Sequence, residues 1–260
     1  MVNKKRILIT GANGAVGRII YARLAGRYDV TVIGGSDQVN LADMDEVFDF
    51  FYDKERFDVL IHCASVGTRD TESTDFNIIR TNLMMFENLK KHYHKWDRFI
   101  NIASGVELSP EFKRSEYSLR DYIPTTAYAL SKNIIAKQVR EMPNGYNLRL
   151  FGIITDDRVF KKVKEAAYRG EMIFKFHQDK YMDYITEEEL DRIIKYYVRT
   201  KEPEYKDINM VPFYKFKAST YVIEYIRDNN LNIRLDLMDD KDNPEGYCGD
   251  GDLLEELGLL

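Results

Sequence analysis

This 260-residue sequence has few cysteines, no net positive charge and no long apolar run. The chain has only two cysteines, Cys63 and Cys248, which are too few for a disulfide framework and favour a reducing compartment. No cysteines and histidines stand at the spacing of zinc ligands, so no metal site is expected. No apolar run approaches the ~18 residues of a membrane-spanning helix. The formal net charge of −5 argues against nucleic acid as a partner.

Strand-like and helix-like patterns alternate through the first 150 residues. Short apolar strands are predicted at 6–10, 30–33, 58–62, 97–104 and 147–150. Because helical patterns separate them, we predict an α/β fold, a Rossmann-like doubly wound parallel sheet covered on both faces. Since the alternation weakens after residue 151, we predict a dinucleotide-binding domain over 1–151. A smaller C-terminal substrate lobe is predicted over 152–260, interleaved with the last sheet strands.

The first predicted strand begins a few residues after the N-terminus, which leaves no room for a signal peptide. We therefore expect a cytoplasmic protein with no membrane partner. The length allows one sizeable core and a smaller second lobe, in agreement with the predicted division of the chain.

A glycine-rich turn follows the first predicted strand and precedes a helical pattern. Gly11 allows the tight turn, Gly14 lets the backbone approach a pyrophosphate, and Gly17 permits close packing of helix on strand. Free N–H groups and the helix dipole favour phosphate at this helix N-terminus. The turn predicts a dinucleotide site, although its G-x-x-G-x-x-G spacing differs from the plain fingerprint. An ordinary strand–turn–helix corner is the alternative.

Tyr128 and Lys132 lie four residues apart on a helix predicted over 125–141, so they share one face. A nearby ammonium lowers the pKa of a phenol toward neutrality, as an acid or base working near pH 7 requires. Ser104 ends another predicted strand, at the edge of a parallel sheet where ligands bind. Alone, the Tyr–Lys pair would be an ordinary surface pair. Together with the glycine turn, it predicts cofactor-dependent redox chemistry.

In combination these motifs resemble the extended short-chain dehydrogenase/reductases, and within them the NAD-dependent epimerase/dehydratase group that acts on nucleotide sugars. The resemblance is carried by residues 10–17, 40–43, 62–64, Asn82, Ser104, Tyr128, Lys132, 148–152 and 182–185. These segments occur in the family's order and spacing over nearly the whole chain. The resemblance therefore implies the family's fold and its nicotinamide chemistry.

The resemblance also implies roles for individual residues. Ser104, Tyr128 and Lys132 would form the catalytic triad, and Asn82 would position the catalytic helix or a relayed water. The implied cofactor-binding residues are Gly11, Asn13, Gly14, Ala15, Val16, Gly17, Arg18, Ser36, Asn40, Leu41, Cys63, Ala64, Tyr128 and Lys132.

The implied substrate is a nucleotide sugar, and a homodimer is compatible with the resemblance. Ser104 would contact the sugar. Arg149, Arg158 and Lys161 are candidate cations for the substrate's diphosphate, although each could instead be an ordinary surface charge.

The residues after Ser104 narrow the reaction. A dehydratase of the family needs an acid pair directly after this serine. Gly105 and Val106 stand there and Glu107 is displaced, which disfavours dehydration. Reductases that also epimerise C3 and C5 typically carry a cysteine next to the serine, and Gly105 argues against that additional activity.

The end of the second predicted strand bears on the coenzyme. NAD-retaining epimerases of the family usually carry an aspartate there that binds the ribose, whereas Gly34 offers no carboxylate to repel a 2′-phosphate. Ser36 and Arg18 could bind that phosphate, and Asp37 would oppose it if it pointed inward. We therefore expect NADP, with NAD as the alternative.

The main functional prediction is NADPH-dependent reduction of the 4-keto group of a nucleotide-linked deoxysugar. NAD-dependent C4 epimerisation of a nucleotide sugar is the first alternative. A non-catalytic NADP-binding sensor is disfavoured by the complete set of Ser104, Tyr128 and Lys132. A reductase of small ketones is disfavoured by the large C-terminal lobe.

Overall fold

The computed structural model describes residues 4–68, 74–154, 158–177, 179–238 and 246–260. In chain order, strands β1 to β11 are Arg6–Thr10, Asp29–Ile33, Phe57–His62, Trp96–Ser104, Lys113–Arg114, Gly145–Leu150, Ile173–Phe176, Tyr181–Met182, Asp207–Met210, Arg234–Leu237 and Gly246–Gly249. Helices α1 to α8 are Ala15–Leu24, Met44–Tyr52, Phe76–Lys91, Ala127–Glu141, Arg158–Tyr168, Glu187–Arg199, Ala218–Asp228 and Asp252–Glu256.

Six strands form a parallel central sheet in the order β2-β1-β3-β4-β6-β9. The chain runs outward from β1 to β2 and then crosses to the other side of β1 to form β3. This reversal creates a crevice beyond the carboxyl ends of β1 and β3, where ligands bind in doubly wound folds. The predicted fold class is confirmed.

Alternating side chains of the strands point to two separate hydrophobic cores. On one face, Ile7 and Ile9 of β1 pack in a core that includes residues of α1, α6 and α8. On the other face, Leu8 belongs to a core with residues of α2, α3 and α4. Both faces of the sheet are thus covered, as parallel strands require.

A third core lies in the C-terminal part of the chain, between α5, α7 and the parallel pair β7–β10. Phe160, Tyr184 and Val222 are among its buried residues. In contrast, α6 and β9 pack with the central sheet. Residues beyond 151 therefore contribute to both parts of the molecule, and the domain boundary at 151 stays a prediction. Among the described helices, none is long and apolar enough to cross a membrane.

A small three-stranded sheet joins distant segments of the chain. Its order is β5-β11-β8, with β11 parallel to both neighbours. Because β5 follows β4 shortly after Ser104, this sheet brings the C-terminal strand β11 close to the end of β4.

Candidate active site

The glycine-rich turn joins β1 to α1 and packs against the end of β3. Gly11 has φ +70°, and a Cβ on it would stand 2.6 Å from the backbone nitrogen of Ala64. A Cβ on Gly17 would collide with the Gly11 carbonyl oxygen. Gly14 precedes α1 in an extended conformation, and a Cβ there would meet only that same oxygen, at 3.2 Å. Packing therefore requires Gly11 and Gly17, whereas Gly14 leaves space open above the helix N-terminus.

A cavity of about 710 Å³ opens over this turn, and we refer to it as the crevice. The predicted cofactor-binding residues that line it are Gly11, Gly14, Ala15, Val16, Gly17, Ser36, Asn40, Leu41, Cys63, Ala64 and Tyr128. Asn13, Arg18 and Lys132 do not line it. The glycine backbone and the helix N-terminus offer N–H groups and room for a pyrophosphate, so the crevice fits a dinucleotide.

At the end of β2, the side chain of Asn13 lies beside Gly34, where related enzymes that bind NAD are expected to carry an aspartate. A Cβ on Gly34 would stand 2.6 Å from the Asn13 amide nitrogen. The Gly34 N–H donates to Gln38 Oε1 at 2.7 Å. Ser36 is exposed and lines this part of the crevice, and Arg18 is exposed in the first turns of α1. Asn13 therefore occupies the space that a side chain at position 34 would need.

The three predicted catalytic residues come from two neighbouring elements. Ser104 is the last residue of β4, and Tyr128 and Lys132 lie one turn apart in α4. All three are buried, with 8%, 9% and 4% of their surface exposed, respectively. The Lys132 ammonium lies 5.9 Å from the centre of the Tyr128 ring. The phenol and the serine hydroxyl thus stand at the carboxyl edge of the sheet, beside the crevice.

Hydrogen bonds to backbone and side-chain groups fix the position of α4. Lys132 Nζ donates to the carbonyl of Ile102 at 2.9 Å, and burial lowers the pKa of this ammonium. The side chain of Asn82 donates to the Val66 carbonyl and to Ser131 Oγ, at 3.0 and 2.9 Å. Its oxygen accepts from the Val66 N–H at 2.7 Å. Asn82 therefore ties the loop after β3 to α4, next to Tyr128 and Lys132.

Arg149 does not face the substrate lobe, which corrects the expectation that it binds a diphosphate. Its side chain is fully buried on β6 and forms ion pairs of 2.5 Å with Glu107 and Asp207. Two carboxylates already pair with its positive charge, and the guanidinium is not exposed to solvent. Its role is to hold together β6, β9 and the turn after β4.

Glu107 lies beneath Ser104 as a fully buried carboxylate. It accepts the backbone N–H of Ser104 at 3.3 Å and the Nε of Arg149. Burial raises the pKa of Glu107 to about 7, although Arg149 opposes the shift. Since the carboxylate points into the protein, it does not offer a substrate the acid that dehydration needs.

The other two candidate cations lie on α5. Arg158 begins this helix, and its side chain lies outside the described part of the structure. Lys161 is exposed one turn later. Both stay predictions as substrate contacts.

A second cavity, of about 630 Å³, is lined by residues of β5, β8 and β11 and of the segment before β5. It is lined by Pro110, Phe112, Arg114, Lys180, Met182, Gly246 and Tyr247. The hydroxyl of Tyr247 stands 3.5 Å from Ser104 Oγ, so this cavity and the serine share a wall. We call it the outer cavity.

A family model described as the NAD dependent epimerase/dehydratase family matches residues 7–169. The chain belongs to this family. Membership confirms the resemblance recognised in the motifs and makes the protein an NAD(P)-dependent oxidoreductase or epimerase. A comparison with curated protein sequences finds no match.

Solved structures of low sequence identity share this fold. The dTDP-4-dehydrorhamnose reductase of Bacillus anthracis, solved with NADP, has a TM-score of 0.78 at 16% identity, covering 99% of this chain and 94% of its own. The GDP-mannoheptose C4 reductase of Campylobacter jejuni, with NADP bound, has a TM-score of 0.78 at 13% identity, covering 100% and 93%. The UDP-glucose 4-epimerase of Thermus thermophilus, with NAD, has a TM-score of 0.74 at 16% identity, covering 98% and 93%.

Sequence reasoning missed part of the site in this epimerase/dehydratase family protein. The crevice is also lined by Ile33, Gly34, Gly35, Val39, Ser65, Val66, Gly67, Thr68, Thr81 and Met85. The position of residues 65–68 directly after a predicted strand could have indicated them, since loops at that edge bind ligands. Tyr247 carried no comparable signal, because its contact with Ser104 joins residues 143 positions apart.

Proposed function

We propose that this protein reduces the 4-keto group of a nucleotide-linked deoxysugar with NADPH. One observation carries the proposal. Ser104 ends β4 at the carboxyl edge of the sheet, Tyr128 of α4 lines the crevice, and Tyr247, whose hydroxyl lies 3.5 Å from Ser104 Oγ, lines the outer cavity. A dinucleotide in the crevice and a sugar in the outer cavity would meet at the hydroxyls of Ser104 and Tyr128.

A bound nicotinamide would supply the hydride. The protein's own residues would handle the oxygen of the substrate ketone, on which negative charge develops. Ser104 Oγ would donate a hydrogen bond to this oxygen, and Tyr128 would donate its proton to it. The Lys132 ammonium favours the phenolate that this transfer leaves behind. Glu107 and Arg149 hold the end of β4 in place beneath Ser104.

The lining of the outer cavity suits a nucleotide diphosphate. Arg114 and Lys180 bring positive charge to it, and Phe112 and Tyr247 bring aromatic rings on which a base or sugar can pack. This arrangement favours a nucleotide sugar over a small ketone, which would need neither the cations nor the volume.

The end of β2 supports the choice of NADPH. Gly34 presents no carboxylate there, and the Asn13 amide lies in its place. A neutral amide does not repel a 2′-phosphate, and exposed Arg18 and Ser36 are available to bind one. The NADP-containing reductases of similar fold agree with this choice, although one epimerase of similar fold holds NAD.

The test follows nicotinamide absorbance in the presence of dTDP-, GDP- and UDP-linked 4-keto-6-deoxysugars. We expect stoichiometric NADPH oxidation with at least one of these sugars and a product reduced at C4. The alternative, an NAD-dependent C4 epimerase, would instead interconvert UDP-glucose and its C4 epimer with no net change in absorbance. The cytoplasmic location and the homodimer are further predictions. Cell fractionation and light scattering, respectively, would test them.

A further inference from the structure

We propose that Tyr247 is a positioning residue for Ser104, a role that rests on the proposed function. The phenol hydroxyl lies 3.5 Å from Ser104 Oγ. This distance is long for a bond between two hydroxyls, but catalytic hydrogen bonds are often long without substrate and tighten when it binds. Tyr247 would donate to Ser104 Oγ, and the serine's own hydrogen would then be directed at the substrate oxygen.

The strand that carries Tyr247 is held by its two neighbouring strands and by Asp183. Its strand, β11, pairs with both β5 and β8. The Tyr247 carbonyl accepts the N–H of Asp183 at 3.2 Å. The buried Asp183 carboxylate accepts the N–H of Gly249 and the ammonium of Lys215, both at 2.8 Å. Segments from three regions of the chain thus fix the strand on which this phenol stands.

The ring of Tyr247 is held on both sides. Its centre lies 4.8 Å from that of Phe151, and the Arg114 guanidinium lies 4.9 Å above it. Arg114 in turn donates to the Gly105 carbonyl at 3.2 Å, directly after the catalytic serine. A Cβ on Gly249 would stand 2.8 Å from the Phe151 ring, so the space for this stack depends on the glycine.

These contacts fix the Tyr247 hydroxyl more firmly than a residue that only lines the outer cavity would require. A serine side chain has three staggered χ1 rotamers, and only one of them directs its hydroxyl at the developing oxyanion. A phenol that is fixed by backbone pairing and by two ring contacts can select that rotamer. Tyr247 therefore acts through Ser104 and does not itself exchange a proton with the substrate.

The test is a double-mutant cycle of Tyr247→Phe and Ser104→Ala in the NADPH assay. Tyr247→Phe keeps the ring and its contacts with Phe151 and Arg114 but removes the hydroxyl. We expect it to lower kcat by about threefold to tenfold and to leave KM for the sugar within about twofold. In the Ser104→Ala background the same change should have no further effect, because the residue through which Tyr247 acts is gone. Exposed Tyr117→Phe is the matched control.

Either of two kinetic results would overturn the proposal: an unchanged kcat in Tyr247→Phe, or the same loss in both backgrounds, as a general structural effect would give. A second measurement does not depend on turnover. Crystal structures with NADP should show one Ser104 rotamer in the wild type and several in Tyr247→Phe. If no sugar is reduced, the proposed function fails, and the rotamers alone decide the role of Tyr247. A single rotamer in both structures rejects it.

Discussion

At the scale of single residues, Tyr128 should decide turnover. Tyr128→Phe removes the proton donor but keeps the ring that lines the crevice. We expect kcat to fall ~10²-fold or more, because the developing alkoxide loses its acid, while NADPH affinity stays nearly intact. Steady-state kinetics and a fluorescence titration with NADPH separate the two effects. Turnover close to that of the wild type would reject Tyr128 as the acid.

Glu107 should make the protein less stable as the pH rises, whereas most carboxyl groups in folded proteins have the opposite effect. Burial raises its pKa from 4.5 to about 7, so the folded protein binds its proton more tightly than the unfolded chain does. The resulting stabilisation is complete below pH ~4.5 and is lost as the pH rises through about 7. In Glu107→Gln this dependence disappears. Relative to the wild type, the variant should gain free energy of unfolding as the pH rises from 4.5 to 8.

Urea denaturation at the two pH values measures this difference. Glu111→Gln, at an exposed site, is the matched control and should follow the wild type. If Glu107→Gln instead lost stability relative to the wild type as the pH rose, the carboxylate would be stabilised by Arg149 more strongly than burial destabilises it.

At the scale of elements, local sequence patterns located the strands and helices of the central sheet well. The helix predicted at 125–141 is observed as Ala127–Glu141, and the strand predicted at 97–104 as Trp96–Ser104. These elements follow from apolar periodicity and flanking turns, which are local properties. The pairing of β5, β8 and β11 could not be predicted, because each strand is short and its partners are distant in sequence.

Burial explains the one role that the structure corrects. From the sequence, Arg149 is a candidate cation for the substrate's diphosphate or an ordinary surface charge, and either role would leave it exposed, as arginine usually is. Its burial depends on two partners, Glu107 and Asp207, that lie far from it in sequence. Single-sequence reasoning has no access to such pairs, whereas Ser104, Tyr128 and the glycine turn are placed by the elements that carry them.

The turn into α1 allows a test of cofactor binding that leaves the fold intact. A Cβ on Gly14 meets only the Gly11 carbonyl oxygen, at 3.2 Å, so Gly14→Val should strain the turn far less than a side chain at Gly11 or Gly17 would. Its branched side chain would project into the crevice where a pyrophosphate must approach. We expect NADPH affinity to fall by ~10-fold or more, which corresponds to at least ~1.4 kcal/mol.

The control for this variant is Gly26→Val, because a Cβ on Gly26 meets no atom within 4 Å and this glycine does not line the crevice. Isothermal titration with NADPH and thermal denaturation are measured for both variants. Equal affinity in the wild type and Gly14→Val would mean that the glycines serve only to pack α1 against β1.

At the scale of the whole molecule, coenzyme choice separates the two candidate functions. A reductase consumes NADPH and exchanges it at each turnover, whereas an epimerase returns the hydride to the same sugar. The structure supports the reductase through one position: Gly34 carries no carboxylate and Asn13 fills the space beside it, while the Asp37 carboxylate lies close to Gly35. We expect the wild type to prefer NADPH over NADH when both compete, as measured by kcat/KM for each coenzyme.

Gly34→Asp should reverse this preference, but the Asn13 amide must move to admit any side chain at position 34. Gly34→Ala introduces the same Cβ without the charge and therefore measures the steric cost alone. Relative to Gly34→Ala, we expect Gly34→Asp to shift the ratio of kcat/KM toward NADH by ~1–3 kcal/mol, because a carboxylate accepts the ribose hydroxyls and repels a 2′-phosphate. Equal ratios of kcat/KM in the two variants would show that position 34 does not discriminate between NADPH and NADH. A wild type that copurifies with tightly held NAD and shows no preference for NADPH would favour the epimerase.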